Sequence, residues 1–60
     1  MKSKNGWKKG DKVVSKPGVF LMQQRLIYLA DSELNHDYFI AEDAVGDVCD
    51  HWKLDDFKKE

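Results

Sequence analysis

Sixty residues, 42% hydrophobic and 35% charged, describe one small domain that buries only about 60% of the surface its unfolded chain exposes. The single cysteine, Cys49, excludes an internal disulfide framework, and no apolar run reaches the length of a leader peptide or a membrane span, which points to a cytoplasmic protein. The formal net charge is −1, yet residues 1 to 16 set six lysines against Asp11, a sum of +5, while residues 31 to 56 set nine carboxylates against Lys53, a sum of −8. Either the two halves complement each other on the folded surface, or one of them steers a charged partner.

Residues 1 to 6 are polar and glycine-ended, and are expected to form a flexible N-terminus to a domain spanning 7 to 60. The stretch "GDKVVSK" alternates with a period of two. It predicts an edge strand with Val13 inward and lysines outward, ended by Pro17-Gly18. "VFLMQQRLIYLA" is ambiguous. Val19, Met22, Leu26 and Leu29 fit one helix face, whereas "RLIYLAD" fits a strand apolar on both sides. A loop or short extended piece at 19 to 23 followed by a strand at 25 to 31 is the preferred reading. "DSELN" is a turn by composition. "HDYFIAED" reads as a strand with Phe39 and Ala41 on one side and Tyr38 and Ile40 on the other. A hairpin turn centred on Gly46 leads into a strand at 47 to 52, with Val48, Asp50 and Trp52 alternating against Cys49 and His51. Leu54 and Phe57, three apart, predict one closing helical or 3-10 turn.

Short strands at this spacing make an all-β meander, and at this size the natural closure is a small five-stranded SH3-like barrel. The Gly10-Asp11-Lys12-Val13 opening, a third strand containing Tyr38, the hairpin at Gly46 and a closing strand with a one-turn helix carry a resemblance over residues 10 to 58. In these features the chain resembles small SH3-like barrel proteins of prophage type (YorP-like) and, at the level of fold, the plasmid-borne type II dihydrofolate reductases. The prophage resemblance implies an accessory factor of a phage or mobile element, located in the cytoplasm of the bacterial host, with no chemistry attached. The reductase activity is not implied. Where that family presents a Val-Gln-Ile-Tyr run, this chain has Val48-Cys49-Asp50-His51, and Asp50 puts a charge where neutral groups read the pterin.

Residues that could carry chemistry do not assemble into a motif. Zinc asks for about four ligands; Cys49, His51 and His36 with Asp37 fall short, and no metal or other cofactor is expected. A Cys49–His51 nucleophile lacks an orienting third group and an oxyanion-binding turn. The acid pairs Glu42-Asp43 and Asp55-Asp56 read as solvated, and the isolated glycines form no phosphate-binding loop. An enzyme is therefore not expected.

Two binding functions remain. Lys8, Lys9, Lys12, Lys16 and Arg25, with Trp7 available to stack, could hold nucleic acid, although the acidic second half would repel the same polyanion. The favoured reading is a non-catalytic protein-binding module acting on a host or viral protein. Four successive apolar residues at 19 to 22 cannot all point inward, so Phe20 and Met22, with Trp7 as an anchor, are the expected contacts, and Glu42 and Asp43 belong to the acidic region that sets partner charge. Core lid and exposed anchor are equal readings for Trp7, and core packing is expected of Trp52. Weak self-association through the loop is a third possibility.

Overall fold

The structure, a computed structural model, describes residues 6 to 60. Of the expected flexible N-terminus, residues 1 to 5 lie outside the described residues. Five antiparallel strands form one sheet: β1 (Lys12–Ser15), β2 (Arg25–Asp31), β3 (Tyr38–Glu42), β4 (Val48–Lys53) and β5 (Phe57–Lys59), with a 3-10 turn at Leu54–Asp56 between the last two. Their order is β4-β3-β2-β1-β5. The all-β expectation holds. No ladder joins β4 to β5, so among the described residues the sheet has two free edges and is not closed.

One element differs from its sequence reading. Residues 57 to 59 are a strand, pairing Ser15 with Phe57, Val14 with Lys58 and Val13 with Lys59. The 3-10 turn expected from the spacing of Leu54 and Phe57 is present at Leu54–Asp56, directly ahead of this strand, and both side chains are buried. With β5 in place, β1 lies between β2 and β5 and is not the expected edge strand. Val13 is its inward anchor, fully buried. Val14 is buried too but stands outside the core cluster, because successive strand residues face opposite sides. Its cross-strand neighbours are Arg25 and Lys58, whose aliphatic stems suit an apolar neighbour.

Bulges break the simple alternation twice. Tyr28 opposes Ala41 and Ala30 opposes Ile40, leaving Leu29 as an extra residue in β2. In β4, Ala41 opposes Cys49 and Phe39 opposes Trp52, so both Asp50 and His51 stand against Ile40. Cys49 and Trp52 therefore face the same side although they are three apart. The expected Val48-Asp50-Trp52 alternation fails for this reason.

The inward face joins aromatic rings end to end. Trp7 meets Tyr28 at 5.6 Å and Phe39 at 5.4 Å, both edge to face. Phe39 meets Phe57 at 5.4 Å, and Phe57 meets Trp52 at 5.7 Å. Trp7 is held there by a turn in which the Asp11 amide donates to the Lys8 carbonyl, with Gly10 at a positive φ of 95° that a side chain would resist. Leu26, Tyr28 and Ala41 complete the wall beside Val13 and Leu54.

Candidate protein-contact surface

The loop from Lys16 to Gln24 carries the apolar run and is pinned at its base. Ser15, buried on the core side, donates its backbone N–H to the Gln24 carbonyl, and its Oγ accepts from the Gln24 amide, both at 2.8 Å. The Lys16 amide donates to the Asp56 carbonyl at 2.8 Å, which ties the loop to the 3-10 turn. With its base fixed and Gly18 turning the chain, most of the run stands outside the core. Leu21 is 108% exposed and Met22 76%. Phe20 is only 38% exposed because its ring lies against Trp52 at 6.2 Å and Phe57 at 5.8 Å. It bridges a residue of β4 and a residue of β5, the outermost strands of the described sheet.

Trp52 is half-buried under this ring, packed against the core as expected, and its indole N–H is buried without a hydrogen-bond partner. His51 stacks on it, centroids 5.8 Å apart and planes within 18°. Asp50 and Asp55 are exposed nearby in the chain, and Asp56 is partly so. In the chain these carboxylates alternate with the exposed Lys53.

The other expected contact residues fall elsewhere. Trp7 is 6% exposed and belongs to the core, so of its two readings the structure places it as the lid. Glu42 lies on the outer face of the sheet, in the cross-strand row Lys12, Ile27, Glu42, Val48. Asp43 shapes the hairpin: its Oδ1 accepts from the amides of Val45 and Asp47, both at 3.0 Å, with Gly46 at a φ of 89° completing the turn. Both carboxylates border a surface hollow of about 490 Å³ shared with Lys12, Arg25, Ile27 and Glu60, which holds none of residues 19 to 22.

Among the expected cations, Lys8 and Lys9 sit in the turn at one end of β1, while Lys12 and Arg25 are exposed on the outer sheet face and Lys16 follows β1. Lys58 joins Arg25 around Val14, a placement the sequence reading missed because it assigned no strand there. Lys59 reaches Asp11 at 3.5 Å. The Lys8 amide donating at 2.9 Å, and then the Lys59 ammonium, hold the Asp11 carboxyl below its ordinary value, with some desolvation opposing them. Cys49 is half-buried and His51 exposed. No three His, Cys, Asp or Glu side chains among the described residues are grouped to hold a metal ion, and no helix there is long and apolar enough to cross a membrane.

Compared with protein-family models, curated proteins and solved structures, the chain matches none.

Proposed function

We propose that this chain is a small SH3-like barrel acting, without catalysis, as a protein-binding module, and that its contact surface is the 19 to 22 loop over Trp52. The barrel reading is supported by β1 lying between β2 and β5 and by a 3-10 turn that spans the gap between the two free edges. One observation carries the binding reading. Leu21 and Met22 stand almost wholly in solvent beside Phe20, whose ring is continuous with the core. A loop clamped at Ser15 and Gln24 keeps this apolar surface outward, and a protein partner is what covers such a patch. The acidic balance of residues 31 to 56 favours a basic partner. The accessory role in a phage or mobile element is part of the same proposal and rests on the resemblance of layout.

The test is a pair of affinity captures from cells that make the protein, one with the wild-type chain and one with Leu21→Ser/Met22→Ser. A partner retained by the first and lost by the second supports the reading, and identical captures oppose it.

A second reading, binding to nucleic acid, is favoured by one observation: Lys12, Arg25 and Lys58 share the outer face of the sheet around Val14. No aromatic residue stands in the rows that carry them, and Glu42 and Glu60 border Lys12 and Arg25 in the same hollow. That combination suits backbone contact better than base stacking.

A further inference from the structure

The outer face of the sheet carries one row that runs straight across four strands. Lys12 of β1 opposes Ile27 of β2, Ile27 opposes Glu42 of β3, and Glu42 opposes Val48 of β4. All three pairings lie outside the bulges, so the four side chains share one side at a regular strand spacing of about 4.8 Å. Ile27 is 37% exposed and Val48 56%, and among the described residues neither Lys12 nor Glu42 is in an ion pair. A cation and a carboxylate thus stand one strand away on either side of an exposed apolar residue.

Such a row is complementary to itself. A half-turn about an axis parallel to the strands and above Ile27 brings a second copy face to face with the first, with strands aligned as in packed sheets. The half-turn exchanges the two sides of the row. Ile27 then meets Ile27, and each Lys12 meets the Glu42 of the other copy. Glu60, whose amide donates to the Lys12 carbonyl, flanks Lys12 on its far side and comes over Val48. That last contact gains nothing, so the interface is centred on the three inner residues.

The other charges on this face do not oppose the approach. Arg25, two residues before Ile27 on β2, lies near the axis and faces its own copy, but Glu42 and Asp43 line the same hollow with it. Lys12, Arg25 and Lys58 are matched in number by Glu42, Asp43 and Glu60, and the whole chain carries only −1. Extents of 30 × 22 × 20 Å keep the shared area small, which is the mark of a weak and reversible association. We propose that the outer sheet face binds a second copy of this chain, in a two-fold dimer centred on Ile27 and held by reciprocal Lys12–Glu42 pairs. This face is separate from the 19 to 22 loop, and neither surface requires the other.

The test is sedimentation equilibrium of the whole chain at concentrations up to about 1 mM. The wild type is expected to pass from the mass of one chain towards that of two. Lys12→Glu or Glu42→Lys alone sets like charges together twice, and each is expected to weaken association by about tenfold or more. An equal mixture of the two variants restores both pairs and is expected to associate as the wild type does. Recovery in the mixture separates pairing between chains from any effect within one chain. Association is expected to survive Leu21→Ser/Met22→Ser. Should a charge variant not fold, ¹⁵N spectra of the wild type decide: amide shifts that grow with concentration at Lys12, Ile27 and Glu42, with Leu21 still, support the dimer. A wild type that stays monomeric, charge variants that associate as it does, or a mixture no stronger than its components overturns the dimer. Loss of association in the serine variant, or concentration-dependent shifts at Leu21 alone, makes the loop the self-contact and likewise overturns it.

Discussion

The Phe20 ring meets the Trp52 ring edge to face at 6.2 Å, from a loop outside the sheet to a strand at its free edge. This contact makes Phe20 part of the packing, while Leu21 and Met22 beside it touch little. The three residues should therefore separate in a stability series. Phe20→Ala is expected to lower unfolding free energy by about 1–2 kcal/mol, through lost area and lost aromatic contact. Leu21→Ser and Met22→Ser should stay within about 0.5 kcal/mol of wild type. Urea titrations measure this. A large loss in either serine variant would mean that the loop tip is core.

Trp7 lies between Tyr28 and Phe39 and is 6% exposed. Trp7→Ala should cost about 3–5 kcal/mol, a large share of the stability of so small a domain. Thermal unfolding of the variant checks it. A folded variant of near wild-type stability would restore Trp7 as a surface residue.

Asp43 and Gly46 shape the hairpin between β3 and β4. Asp43→Ala removes the acceptor of two backbone N–H groups, and Gly46→Ala places a side chain at a φ of 89°. Each should cost about 1 kcal/mol or somewhat more. An Asp43→Ala variant that loses a partner while keeping full stability would instead show a direct role in contact.

The Asp11 carboxyl titrates below its ordinary value of 3.8 because the folded chain favours the charged form. The stability this contributes is present above 3.8 and is lost as pH falls through the lower folded value. Asp11→Asn should therefore be less stable than wild type at neutral pH and show a shallower decline in acid. Denaturation midpoints across that window measure it. A variant with an unchanged acid profile would contradict the assignment.

On the nucleic-acid reading, replacing Lys12, Arg25 and Lys58 with Glu should abolish binding to a generic oligonucleotide, and wild-type affinity should fall steeply with salt. Binding that is absent even at low salt removes that reading.

How far the sequence could be read depended on whether one strand's pattern was enough to place a residue. Val13, Phe39 and Ala41 sit in regular stretches, and the period of two placed Val13 inward and put Phe39 and Ala41 on one side, which the structure shows to be the core side. The strand at 25 to 31 and the exposed run at 19 to 22 were legible for similar reasons: composition favoured a strand, and four apolar residues exceeded what one side could bury. Bulges are not written in a period. The extra residue in β4 turned Trp52 to the side of Cys49, and only the pairing with Phe39 reveals it. The three residues of β5 were too short to show a pattern of their own beyond the 3-10 turn that Leu54 and Phe57 signalled. That one omission hid the interior position of β1 and the place of Lys58. The Phe20–Trp52 contact, which defines the candidate site, links residues 32 apart in the chain, and nothing local encodes it.

Site-specific photo-crosslinking tests the proposed surface most directly. A benzophenone side chain is placed at Leu21, or at Lys9 in the exposed turn at the opposite end of β1, and the protein is irradiated in the cells that make it. The prediction is a discrete protein adduct from position 21 that is absent from position 9. Equal adducts from both positions, or an adduct from position 9 alone, would contradict the assignment of the 19 to 22 loop as the contact surface.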